Sequence, residues 1–219
     1  MAMFRSRIEN IRQYMNKNGG IATSDRYLVM IPTPPLLQAD SGDRPKQYYD
    51  PGANNKPAGL ELLNKRNISK WNNESEGDGL SVVCDSASMP GISFQTSAIQ
   101  DIGPEKVYPY ATSFEDLELS FFCSESMRER VFFDAWFESI SLITETNFPK
   151  FSFRDDYVTT ITIDKLNRKD ERAYGLKIID AYPITMASQE LSYVPQANDA
   201  FKLSITFNYS RWVYNDVPE

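Results

Sequence analysis

Histidine is absent from all 219 residues. That removes the commonest general base, the Ser-His and Cys-His nucleophile pairs, and most zinc sites. Cysteine is nearly as scarce: Cys84 and Cys123 are too few for a disulfide framework and are expected to be reduced core residues in a cytosolic compartment. Glycine-rich phosphate loops are missing, since neither GxxxxGK nor GxGxxG occurs. No apolar run reaches membrane-spanning length, so direct membrane binding is not expected, and the charged start MAMFRSRIEN predicts no secretion by a signal peptide. Cations are in deficit, with 23 Lys and Arg against 30 Asp and Glu, a formal net charge of -7 and a pI near 4.8. Proteins that grip nucleic acid need clustered Lys and Arg, so any contact with DNA should be non-adhesive. An enzyme is therefore not expected, and no catalytic, cofactor-binding or metal-ligating residue is assigned.

What is present is β pattern. Hydrophobic residues make up 41% and aromatics 13%, enough for an ordinary core in one domain spanning residues 1–219. In FKLSITFNYSRW, residues Phe201, Leu203, Ile205, Phe207 and Tyr209 alternate with Lys202, Ser204, Thr206, Asn208 and Ser210, which predicts a strand with one dry face. Asp116 to Cys123 repeats the pattern: Leu117, Leu119, Phe121 and Cys123 oppose Asp116, Glu118 and Ser120, and only Phe122 breaks it. Two half-buried strands need a cover. The stretch after Cys123 supplies one, a helix opened by a Ser126/Glu129 capping box and running to about Ile143. Its apolar arc is wider than the roughly 100° stripe that covers one sheet. Either the helix is deeply buried, or Phe133 and Phe137 meet another subunit.

The rest of the chain reads in order. Phe4, Ile8, Ile11 and Met15 recur at helical spacing before Asn18-Gly19-Gly20, predicting an N-terminal helix over residues 1–18 whose stripe packs on its own core or on a neighbour. Residues 33–78 are rich in Pro, Gly, Asn and charge, far longer than a usual connection of about 4 to 6 residues, and are expected to be a loop insertion. The main β core is assigned to residues 79–219. There Leu80 to Cys84 reads as a strand and Met89-Pro90-Gly91 as a turn, with Ser93 to Ile99 returning. Asp101 to Thr112, with Gly103, Pro104 and Pro109, suits a long hairpin arm or a loop. Tyr157 to Lys165 is a strand, Lys165 to Glu171 a hairpin tip, and Ala173 to Ile184 a returning strand that Pro183 disrupts. The expected fold is mainly β, an antiparallel sandwich or small barrel with one packed helix and an N-terminal helix.

Two functional readings follow from residues alone. Asp155 and Asp156, with Asp164, form the densest acidic feature and would be the centre of an acid-dependent hydrolase. Tyr48, Tyr49 and Trp71 of the insertion would be the platform of a monomeric carbohydrate-binding module. A third reading is assembly, because the apolar surface exceeds what one small core needs.

The order of features resembles the tail tube protein family of contractile-tailed bacteriophages. The residues that carry it are the N-terminal helix followed by Arg26-Tyr27-Leu28-Val29-Met30-Ile31, then Val83-Cys84 and Met89-Pro90-Gly91. Thr112 through Leu117, Arg130 through Phe133 with Asp134 and Trp136, and the closing Phe201 to Trp212 complete it. The resemblance implies a structural virion protein whose hairpins join those of five neighbours into a multi-subunit barrel, a hexameric ring. Rings would stack inside a sheath, with tape-measure protein and DNA in the lumen, and baseplate and tail terminator proteins at the ends. Such a tube would be assembled in the host cytoplasm. A baseplate tube initiator or an injection-system tube protein shares the domain. For the tube subunit, Phe4, Ile8, Ile11, Met15, Phe133 and Phe137 are the subunit-interface candidates. The lumen-facing candidates are Asp116, Glu118, Ser120, Lys202, Ser204, Thr206 and Asn208. A hexamer would carry a formal charge of 6 × -7 = -42, so its lumen is expected to repel phosphate.

Overall fold

The computed structural model describes residues 22–37, 80, 83–100, 103–142, 150–191 and 200–215. The expected helix over residues 1–18 and nearly all of the insertion lie outside the described residues. The insertion's opening residues do not: a 3-10 turn at Pro35–Leu37 buries Leu37 completely, and Thr33 is buried beside it. This part of the stretch belongs to the body.

Seven strands form the main sheet. They are β1 (Tyr27–Met30), β2 (Cys84–Ala87), β5 (Leu117–Phe122), β8 (Thr159–Leu166), β9 (Arg172–Met186), β10 (Lys202–Asn208) and β11 (Arg211–Tyr214). Their order is β1-β8-β9-β10-β5-β2, with β11 on β9, and every pairing is antiparallel. The sheet curls until its two end strands lie one side chain apart, where the Tyr27 hydroxyl donates to the Cys84 carbonyl at 3.2 Å. This is a small barrel closed by a tyrosine. Burial pushes both Tyr27 and Cys84 up to about 12, with the Asp85 charge adding to each.

The fifteen-residue β9 bends this sheet. Between the pairs Thr159–Ala181 and Ile161–Ile178 it carries one residue more than β8, and Asp180 sits there with φ 57°. Pro183 was expected to disrupt the strand; instead β9 runs through it to Met186. The ladder steps from Thr206–Thr185 to Phe207–Pro183, so Ile184 bulges out beside the proline. A proline cannot donate to a ladder and is tolerated at such irregularities. Gly175 makes a different accommodation, because a Cβ there would stand 2.5 Å from the Asp164 carboxylate. Its bareness leaves room for the buried Asp164, which pairs with Arg172 at 2.9 Å.

Helix α1 (Arg128–Ile140) plugs the barrel, and its start differs from the expected capping box. Met127, with φ 52°, precedes the first turn and caps nothing with its side chain. Glu129 instead reaches back to Ser124, accepting from its backbone N–H and its hydroxyl, both at 2.9 Å. The helix also stops at Ile140, short of Ile143, and passes into β6 (Ser141–Leu142), which pairs with β7 (Lys150–Phe151). Phe132, Phe133, Ala135 and Trp136 are fully or almost fully buried against Phe121 and Phe207 of the sheet. The Trp136 indole donates to the Tyr157 carbonyl at 2.9 Å.

One pair of strands stands apart. β3 (Ile92–Ile99) and β4 (Lys106–Phe114) pair only with each other among the described residues. The turn expected at Met89-Pro90-Gly91 is therefore a bend: β3 does not return on β2 but continues outward, and β4 brings the chain back into β5.

Candidate assembly surfaces

The alternation of the closing strand places its side chains as the sequence implies. Leu203, Ile205, Phe207 and Tyr209 are buried, and Lys202, Ser204, Thr206 and Asn208 point away from the core. β5 does the same with Leu117, Leu119 and Phe121 against Glu118 and Ser120. Register then unites the two polar sets on one face. Ser204 pairs with Ser120, and Ser120 with Ser86 of β2, giving a row of three hydroxyls across three strands. Thr206 lies between Glu118 and Thr185, and the Asn208 amide donates to the Asp116 carboxylate at 3.1 Å.

The charge of this face is governed by one pairing. Lys202, its one cation among the seven candidates, is held by Asp85 at 2.7 Å and lies over the Phe122 ring at 5.1 Å. With that cation neutralised, Asp116 and Glu118 set the sign. Aromatics bound the face without crossing it: Phe122 sits at the Lys202 end, and Tyr182 pairs with Asn208 at the other.

The β3–β4 hairpin is the second surface. Its register puts Ile92, Phe94, Thr96, Ala98, Val107, Pro109, Thr112 and Phe114 on one side, and Ser93, Gln95, Ser97, Ile99, Lys106, Tyr108, Ala111 and Ser113 on the other, so the first side is the more apolar. The apolar side is bare: Phe94 is 61% exposed and Val107 60%, and every residue of β3 is exposed. Among the described residues the hairpin is tied to the body at its root. There Phe114 packs on Tyr209, and the Tyr209 hydroxyl donates to the Glu115 carbonyl at 2.6 Å. Pro109 rides beside a bulge that throws out Tyr110, whose hydroxyl reaches Gln95 at 3.0 Å. Both strand prolines thus sit next to an extra residue.

Of the interface candidates, Phe133 is corrected by its surroundings. It is fully buried in the chain's own core, stacked on Trp136 and tilted against Phe121, so no neighbour can reach it. The wide apolar arc of α1 is used within the chain, because Phe133 and Trp136 meet β5 and β10 while the helix also packs on the turns at Pro35–Leu37 and Arg154–Tyr157. Phe137 is half-buried, and Phe4, Ile8, Ile11 and Met15 lie outside the described residues.

The acidic pair is separated. Asp155 and Asp156 fall on the one-turn helix α2 (Arg154–Tyr157), with Asp155 exposed and Asp156 buried. They do not share one environment. Asp164, on β8, faces Arg172. No cluster of three potential metal ligands occurs among the described residues, and Tyr48, Tyr49 and Trp71 lie outside them.

Sequence reasoning missed two features. The exposed apolar side of β3 was legible as alternation in ISFQTSAI, but nothing in the sequence said that no partner covers it. The other is Phe151-Ser152-Phe153, where both phenylalanines are exposed and the serine is buried. Ser152 donates its hydroxyl to the Ser139 carbonyl at 2.6 Å and its N–H to that of Ile140 at 3.0 Å.

No curated protein matches the chain. Solved structures that resemble it include the sheath-tube complex of an extracellular contractile injection system in its extended state, at 22% identity over 61% of this chain and 81% of that one, TM-score 0.47. A chain of the sheath/tube terminator of such a system matches at 20% identity over 61% and 85%, TM-score 0.46. A crystal structure of Hcp protein matches at 8% identity over 88% and 94%, TM-score 0.42. The model of the phage tail tube protein family matches residues 51–215, from within the insertion to the end of the last strand, and the chain belongs to that family.

Proposed function

We propose that this tube protein is the main subunit of the inner tail tube of a contractile tail, six copies closing a ring and rings stacking inside a sheath. The observation that carries the reading is the β3–β4 hairpin, whose side bearing Ile92, Phe94, Ala98 and Val107 is exposed and meets no other strand among the described residues. A two-stranded ribbon is at best marginally stable alone and exposes what a neighbour would bury. Hairpins of adjacent copies supply that burial. The apolar stripe Phe4, Ile8, Ile11 and Met15 adds a contact to the next copy in this reading.

The lumen is lined by the outer face of β5 and β10. What supports this is its chemistry: a row of serines, threonine and asparagine, acidic groups, and a lysine already neutralised by Asp85. Such a face offers phosphate no cation track, and its aromatic groups stand only at its ends. Tape-measure protein, then the genome, occupies the channel, with the baseplate and a terminator at its ends and the assembled particle as the protein's location.

Electron microscopy of the purified chain tests assembly, with rings or filaments expected and a monodisperse monomer refuting it. Replacing Ser204 and Thr206 by Lys tests the lumen. Surface changes usually cost within about 0.5 kcal/mol, so tubes should form, yet twelve added cations per hexamer (2 × 6) should impair ejection of DNA. Full infectivity with normal tubes would put this face elsewhere.

A further inference from the structure

Resting on that tube reading, we infer that the open edge of β11 receives strand β4 of a second copy of this chain, so that one hairpin strand from each subunit completes the sheet of the next. On one side of β9, β10 and β11 follow one another, broken only at Tyr209-Ser210. β5 covers the far edge of β10 from Lys202–Phe122 to Phe207–Leu117. Nothing among the described residues covers the far edge of β11. The place beside β11 is where β4 would lie if the ladder of β5 and β10 ran straight on. Instead the chain leaves the sheet at Glu115, held there by the Tyr209 hydroxyl.

The vacated edge has the right chemistry for a strand. Asn215 donates to the Gly175 carbonyl at 2.9 Å. In an antiparallel pair such bonds alternate, so Trp212 and Tyr214 turn their backbone N–H and C=O away from β9. Carrying the β5–β10 register forward sets Arg211 opposite Ser113 and Trp212 opposite Thr112. Sidedness agrees with this: Trp212 and Phe114 both pack against the core, and Thr112, two residues from Phe114, shares its face.

A second copy fits because each chain carries one unpaired hairpin and one unpaired edge at different places. Donor and acceptor on separate surfaces make a heterologous contact, which closes into a ring when the rotation permits. A third strand is also what a lone hairpin requires.

Tyr214→Pro removes an N–H that β9 does not use, and proline is tolerated where that group faces outward. The variant should keep the circular dichroism and melting of the free wild-type chain and form no rings, while Tyr214→Phe forms them normally. Rings assembled by a folded Tyr214→Pro chain would overturn the inference. If that variant does not fold, Arg211→Cys chains mixed with Ser113→Cys chains, both in a Cys84→Ser, Cys123→Ser background, decide instead. Oxidation of the mixed rings should join one chain of each kind, and rings without that covalent dimer would overturn it. A wild-type chain that never forms rings sinks the tube reading itself, whereas rings without the edge pairing sink this inference alone.

Discussion

The barrel body and the β3–β4 hairpin are written in the same alternation and come to opposite ends. In β10, KLSITFN buries every second residue. In β3, ISFQTSAI buries none. The difference lies in what stands over the dry side. β10 and β5 have α1, whose Phe133 and Trp136 fill the space above Phe207 and Phe121; the hairpin has left the reach of the helix after its last tether at Tyr209. Alternation thus fixes which side of a strand is apolar, while topology decides whether this chain or another covers it.

The comparison is broken most violently from the body's side. Phe133→Ala removes a fully buried ring that touches four other aromatics. The expected cost is about 3–5 kcal/mol, read as a large drop in the denaturant midpoint of the monomer. A change under about 1 kcal/mol, with assembly lost, would return Phe133 to the interface and erase the distinction between the two regions.

A smaller effect is expected where the body closes on itself. Tyr27→Phe deletes the bond from β1 to the Cys84 carbonyl, a loss of about 0.5–1.5 kcal/mol at neutral pH. The pH dependence has a definite sign. Folded Tyr27 and Cys84 keep their protons up to about 12, whereas their ordinary values are 10.0 and 9.0. Between those limits the unfolded chain binds fewer protons, so stability falls as pH rises. Tyr27→Phe should make that alkaline fall shallower, and titration of the unfolding free energy from pH 8 to 11 checks it. An unchanged slope would mean that Tyr27 does not titrate with unfolding.

How far the sequence could be read follows from the same contrast. Strands β5 and β10, the β8–β9 hairpin tip and the covering helix were legible because period, turn residues and a wide apolar arc are local signals. The fate of Phe133 was not, since a helix seated in a curled sheet and a helix facing a neighbour need the same arc. Pro183 and Pro109 read as strand breakers because an adjacent bulge leaves no mark in sequence. Glu129 lay in the expected capping position, yet its partner proved to be Ser124 rather than Ser126, a choice set by the left-handed backbone at Met127. Of the candidate surfaces, the polar face was legible residue by residue, and the register that unites Ser86, Ser120 and Ser204 was not.

The smallest effect on the folded monomer should come from the hairpin, and it sharpens the comparison most. Phe94 and Val107 are largely exposed on the apolar side of β3 and β4. Replacing both with Ser removes apolar surface that the free chain leaves mostly exposed, so the hydrophobic term contributes little to monomer stability. The change should stay within about 0.5 kcal/mol, as for surface positions generally. Assembly is a different matter, because in a ring these side chains lie against a neighbour and their loss removes what drives association. The double variant should therefore melt with the wild-type monomer and remain monomeric by sedimentation at concentrations where the wild type forms rings. Had the hairpin been a solvated arm, both measurements would match wild type; had it folded back on the body, the melting temperature would fall. Only the combination of unchanged melting and lost assembly assigns the bare side of the hairpin to a second chain.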